Sequence, residues 1–224
     1  MYPVNPSDTS PRDKINRLAA KIKFLIASKD MATARDEYQE LITRLQTRAS
    51  RIAYYYLRER AEMEEAVQDA FLKAFLHLPS FRDEFYFDVW FTRILVNGCL
   101  DRLRATKRRT KWFVPAEDHE ERFSKSQPTT RRTPEGSLLE KERRAQLIAT
   151  IDRLPARQRD VTILHQLEGH STSEVAEMLN ITDATVRVHL FRALKSLRHN
   201  LKKEQWLFER PDVNWANTTV RECR

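Results

Sequence analysis

The chain has 224 residues, with 40 Lys and Arg against 32 Asp and Glu for a net charge of +8, a charged fraction of 32% and only three glycines. That length holds one large or two small domains, and the glycine-poor, charge-rich balance suits an all-helical protein. No apolar run is long enough to cross a bilayer and none follows Met1 as a signal peptide would, so no membrane insertion and a cytoplasmic location are expected. Two cysteines, Cys99 and Cys223, and six histidines without HxxxH or HExxH spacing give no basis for a disulfide framework, a zinc enzyme or any other metal, and no cofactor is expected. The cationic excess favours a polyanion partner, because neutralised phosphates release counterions, but where the cations cluster matters more than their total.

Residues 1–12 are polar and proline-rich and read as a flexible arm. From Asp13 the apolar positions Ile15, Leu18, Ile22, Leu25 and Ile26 follow helical spacing, and after a break at Ser28–Asp30 a second helix runs to about Leu57, with Tyr38, Leu41, Ile42, Leu45, Ala49, Ile52, Ala53 and Tyr56 on one side. A third helix over Glu62–Leu78 buries Ala66, Val67, Ala70, Phe71, Ala74, Phe75 and Leu78. Glu62, Glu64, Glu65 and Asp69 crowd its first turns. The helix dipole covers part of that, and an acidic surface for a basic partner is the competing explanation. Pro79 closes the helix. The loop Ser80–Phe87 then holds four aromatics, Phe81, Phe85, Tyr86 and Phe87, and any that face outward beside Arg82 can stack on an unpaired base.

A fourth helix over Asp88–Arg109 has Val89, Trp90, Ile94, Leu95, Leu100 and Leu103 on its apolar face. Its end carries Arg102, Arg104, Lys107, Arg108, Arg109 and Lys111, more cations than a helix cap requires and the pattern of a phosphate track. Val114–Gly136 loses all periodicity and reads as a linker. Beyond it, Leu138, Leu139, Leu147, Ile148 and Ile151 pattern one helix, Leu154–Pro155 breaks it, and Ala156–Leu167 forms another with Val161, Ile163, Leu164 and Leu167 inside. Ser171 and Glu174 have capping-box spacing, Asn180 tolerates the left-handed turn that must follow Leu179, and Thr182 caps the next helix. That last helix buries Val186, Leu190, Ala193, Leu194, Leu197 and Leu201. Its other face carries Ala184, Thr185, Val188, Phe191, Arg192 and Lys195, with Arg187 at the edge. The pair is a helix-turn-helix fit for a major groove, against the plainer reading of a helical hairpin in a bundle. The tail 205–224 holds Trp206, Phe208 and Trp215.

Five segments, EMEEAVQDAF, SFRDEFYFDVW, RILVNGCLDRLR, LPARQRDV and TVRVHLFRAL, resemble in their order the motifs of bacterial extracytoplasmic-function sigma factors, the two-domain form of the sigma-70 family. The resemblance spans roughly residues 35–112 and 138–202. It implies an all-α fold of two small helical domains on a flexible linker, the second a helix-turn-helix. Residues 13–112 would be a region 2-like domain, 113–137 the linker, 138–204 a region 4-like domain and 205–224 a tail. It further implies a non-catalytic specificity subunit that directs core RNA polymerase to promoters and aids DNA melting. Glu62, Glu64, Glu65, Val67, Gln68, Asp69 and Phe71 would dock on the clamp helices of the polymerase largest subunit, and the flap of the second-largest subunit would be a further contact. Arg82, Phe85, Tyr86, Asn97, Asp101, Arg102, Arg104, Lys107 and Arg108 would meet the −10 element. Thr185, Arg187, Val188, Phe191, Arg192 and Lys195 would meet the −35 element, with Arg192 the candidate for a bidentate pair to guanine. Promoter DNA and core polymerase are the implied partners, and the family is commonly held by an anti-sigma factor. Asp83 stands where a glycine is common, Phe85 and Tyr86 are bulkier than usual, and Val188 replaces a polar residue.

The competing reading is a LuxR-type regulator, which shares the closing helix-turn-helix but has no use for the acidic helix, aromatic loop and basic helix. An enzyme is the third reading, and no nucleophile–base set, glycine-rich phosphate loop or metal spacing supports it.

Overall fold

The computed structural model describes residues 10–82, 85–113 and 145–203. The chain divides into two compact units between residues 127 and 128. In the N-terminal unit, α1 (Pro11–Ala27) begins where the Ser10 hydroxyl accepts the Arg12 N–H and Pro11 supplies a preset first turn. It stops at Lys29, which adopts φ 62°. Asp30 then caps α2 (Met31–Leu57), accepting the Thr33 N–H. The 27-residue α2 ends at Arg58, also left-handed at φ 60°, whose guanidinium lies near the Tyr54 and Tyr55 rings. Helix α3 (Arg60–His77) is capped by Glu59, and the N–H groups of Glu62 and Ala61 hold that carboxyl below its ordinary range. A 3₁₀ turn, Leu78–Ser80, carries Pro79, and α4 (Phe87–Phe113) follows the aromatic loop.

These helices share one core. Ile22 of α1, Leu41 and Ile52 of α2 and Leu95 of α4 are fully enclosed. Phe71 of α3 stacks on Phe91 of α4 with ring centres 4.6 Å apart, and the buried Tyr38 hydroxyl donates to the Phe71 carbonyl at 2.6 Å. The sequence stripes of α2 and α3 point inward as expected except Ile42 and Phe75, which are half-buried. Helix α4 differs more. Val89 and Leu95 are core, but Trp90, Ile94, Leu100 and Leu103 are half-buried, and Phe91, Val96 and Cys99 complete the inner face. The inner face follows the i, i+4 row of Phe87, Phe91, Leu95 and Cys99, all buried, and Trp90, Ile94 and Leu100 lie one position off that row.

The C-terminal unit comprises α5 (145–152), α6 (Ala156–Thr162), α7 (Thr172–Leu179) and α8 (Asp183–Lys203). Helices α6 and α7 both pack on α8. The sequence predicts an unbroken helix over Ala156–Leu167, but it widens at Ile163–Leu167 into a π turn. There the Glu168 N–H reaches back five residues to the Ile163 carbonyl at 3.1 Å. Gly169, at φ 74°, then redirects the chain into α7. Leu138, Leu139, Asp83, residues 114–137, residues 1–9 of the N-terminal arm and the aromatic tail lie outside the described residues, whereas the arm predicted to run to residue 12 already enters α1 at Pro11, where the Ser10 cap and the proline start the helix.

Candidate nucleic-acid interface

The helix-turn-helix is held by local chemistry at both ends of its turn. Ser171 and Glu174 form a reciprocal capping box, at 3.2 Å for the Glu174 N–H and 2.9 Å for the Ser171 N–H. Asn180 closes α7 in the left-handed conformation, φ 53°. Thr182 accepts the Thr185 N–H at 3.2 Å, and the two hydroxyls meet at 2.7 Å. Thr172 nearby and then the Arg187 guanidinium hold the Asp183 carboxyl below its usual range, and Arg187 pairs with it within α8. Val175, Val186, Leu190 and Ala193 are buried beneath.

The outward face of α8 carries Val188, Phe191, Arg192 and Lys195, with Phe191 70% exposed. Val188, one turn before it, is 47% exposed, so the two form a small apolar strip among the cations. Arg187 is exposed but paired with Asp183, and the Thr185 hydroxyl belongs to the cap, so both are engaged before any ligand arrives.

In the first unit the aromatic loop divides its four rings. Phe81 and Phe87 are buried against each other and against Trp90, with centroids 5.1–5.5 Å apart, whereas Phe85 and Tyr86 are exposed. The Arg12 guanidinium lies 4.5 Å from the centre of the Tyr86 ring and makes a two-point contact with the buried Asp88, at 2.9 and 3.1 Å. Arg48 reaches the same carboxylate at 3.2 Å. Asn16 accepts the Phe87 N–H at 2.7 Å and donates to the Phe85 carbonyl at 3.5 Å, and Lys23 donates to the Phe81 carbonyl at 2.7 Å. Arg82 and Asn97 are exposed.

Along the packed α3 and α4, Arg102 bridges the gap and other charges pair within their own helices. Arg102 donates to Glu65 at 2.8 Å and also to Asp69, and the Glu65 bond is the main cause that raises its pKa further. Ala66, Ala70, Gly98 and Ala105 line the groove beside this bridge. Glu64 pairs with Arg60 and Asp101 with Arg104, both at 2.7 Å. Gln68, Lys107 and Arg108 are exposed and Glu62 is half-buried. Val67 and Phe71 face the core, 8% and 6% exposed, so they brace α3 from within. The apolar outer positions of α3 are Leu72 and Leu76, 59% and 64% exposed. Sequence reading passed over both. Their signal was an apolar pair at i, i+4 lying off the inward stripe.

Residues 41–109 match the family described as sigma-70 region 2, and residues 144–197 match sigma-70 region 4. The chain belongs to the sigma-70 family. Within it the similarity is to the extracytoplasmic-function group. This sigma factor is 31% identical over 163 residues to the ECF RNA polymerase sigma-E factor of Haemophilus influenzae, covering 72% of this chain and 86% of that one. It is 31% identical to the sigma-E factor of Escherichia coli K12, over 72% and 85% of the two chains, and 31% to SigM of Mycobacterium tuberculosis, over 73% and 76%. Among solved structures, CnrH in complex with the cytosolic domain of CnrY superposes with a TM-score of 0.59 at 22% identity, covering 84% of this chain and 97% of that one. RpoE from Bartonella quintana, in complex with the anti-sigma factor NepR, gives 0.60 at 20%, covering 74% and 97%. These two share the fold. The sigma factor is thus an RNA polymerase subunit for transcription initiation, with polymerase and promoter DNA as partners. The LuxR-type alternative is not favoured, because region 2 occupies the N-terminal unit where such a regulator would carry a receiver or ligand domain.

Proposed function

We propose that this sigma factor reads a −35 element with α8 and captures the melted −10 element with the Phe81–Phe87 loop and α4, while α3 docks on the polymerase clamp helices. The observation that carries the reading is the division of the loop aromatics: two rings anchor it in the core and two stand exposed at the start of a helix whose far end is basic. Exposed rings supply stacking faces for unpaired bases, and cations along the same helix neutralise the strand that carries them. On α8, Arg192 is the base-reading candidate, Val188 suits a thymine methyl, and Phe191 and Lys195 flank them. On α3, Gln68, Glu64 and the acids around Arg102 offer polar complement to a basic partner, and Leu72 and Leu76 supply the apolar seam that gives affinity. The region 4-like domain, assigned to 138–204, would also meet the polymerase flap, and the region 2-like domain is assigned to 13–112.

The protein would act as a specificity subunit without catalysis of its own, in the cytoplasm. No described helix is long and apolar enough to cross a membrane. Two fold neighbours are complexes, one with a named anti-sigma factor, and an anti-sigma partner is proposed here too. The test is transcription by core polymerase plus the full chain on a promoter library. Initiation at a defined −35/−10 pair is expected, and the absence of core binding together with the absence of any promoter-dependent transcript would overturn the reading.

A further inference from the structure

The family match begins at residue 41, beyond α1, yet α1 side chains contact the aromatic loop at Phe81, Phe85, Tyr86 and Phe87. We infer that Arg12 and Asn16 of α1 are positioning residues for −10 recognition: they set the orientation of Tyr86 and the path of the Phe85–Phe87 backbone on which a captured base stacks. The inference rests on the assignment of this loop to the −10 strand.

Three observations on different atoms converge. Asn16 grips the loop backbone on both sides of Tyr86, taking the Phe87 N–H at 2.7 Å and giving its amide to the Phe85 carbonyl at 3.5 Å. A side chain that bonds the residues before and after a third fixes the backbone of that third residue, and therefore where its ring can point. Arg12 lies over the Tyr86 ring at 4.5 Å and so occupies one face; the ring is still 46% exposed, so its open surface is where a base can lie. A guanidinium behind the ring also polarises it toward a stacked base. Finally, Arg12 is itself immobilised, because its two-point contact with Asp88 is a planar fork on a carboxylate that is only 3% exposed. Arg48 holds the same carboxylate at 3.2 Å, so Asp88 keeps a cation when Arg12 is changed. Lys23 adds a third tie at the loop entrance, on the Phe81 carbonyl.

These contacts separate two roles. A lysine at position 12 retains a charge for Asp88 but lacks the flat fork that covers the Tyr86 ring. Arg12→Lys therefore preserves the helix docking and removes the ring support. Asn16→Ala removes the backbone grip and leaves every charge in place.

The experiment uses holoenzyme assembled from core polymerase and the full chain, bound to single-stranded oligonucleotides that carry the preferred −10 element or single-base replacements of it. The quantity read is the affinity ratio between preferred and replaced elements, with melting temperature and core affinity measured in parallel. Arg12→Lys and Asn16→Ala are each expected to lower the ratio about fivefold, with unchanged core affinity, as befits the loss of one or two oriented contacts. In a double-mutant cycle, Arg12→Lys is expected to have no further effect once Tyr86→Ala is present. A ratio unchanged in both variants, or a fall that tracks melting temperature alone, would overturn the inference. Wild-type holoenzyme that discriminates no −10 element would instead overturn the assignment of the loop, and the positioning role with it.

Discussion

Arg192 and Lys107 separate base reading from phosphate neutralisation. Arg192→Ala is expected to cost about 1–3 kcal/mol on the preferred −35 element and to relax preference at one base position, read by competition between promoter variants. Lys107→Ala should weaken all promoters evenly and lower the salt slope by about 1. Identical behaviour of the two variants would show that neither role is assigned correctly. Buried Cys99 gives a pH prediction of a different kind. Burial pushes its thiol up to about 12, whereas in the unfolded chain it titrates near about 8.5. The neutral thiol therefore contributes its full stability below the unfolded value, and that contribution is lost as pH rises toward the folded value. Urea unfolding between pH 8 and 10 should show falling stability in the wild type and a flatter profile in Cys99→Ala. Tyr38, also raised by burial, acts in the same direction only at higher pH. Individual exposed positions on α8 were readable from sequence because one helical face decides them. The Arg187–Asp183 pair was readable for the same reason, since its i, i+4 spacing places both side chains on one face.

Helices α7 and α8 show how far local signals reach. Ser171, Glu174, Asn180 and Thr182 each do in space what their residue types predict, because caps and turns are completed within four residues. Ser171→Ala should lower stability by about 1 kcal/mol, seen as a shift in the denaturant midpoint without a change in slope. Helix α3 shows the opposite. It is apolar on more than one side, so periodicity locates the helix but does not say which leucines the fold covers. Leu72→Ser and Leu76→Ser together are expected to reduce core polymerase affinity at least tenfold while leaving the melting temperature within a degree or two. A large fall in melting temperature would place these side chains in the fold instead. The π turn escaped the sequence reading for a related reason: one reach-back bond to Ile163 alters the helix pitch without altering its composition.

For the molecule entire, the net charge of +8 is meaningful through where it sits. Arg82, Arg104, Lys107, Arg108, Arg192 and Lys195 are all exposed on the two candidate DNA surfaces. Replacing all six by glutamine should flatten the salt dependence of promoter binding by about 5 in log–log slope, since each neutralised phosphate contributes about 0.9. A slope that stayed steep would move the DNA path elsewhere. The division into two helical units and the family were visible in the order of five short segments, whereas the role of α1 was not, because its partners lie far along the chain. Arg12 and Asp88 stand 76 positions apart. On a ribosome extending at about 5–20 residues per second, α1 is synthesised roughly 4 to 15 s before the carboxylate it grips. The nascent reader is therefore unset for that interval, and its loop acquires a fixed shape only when the first helix finds a partner made long after it.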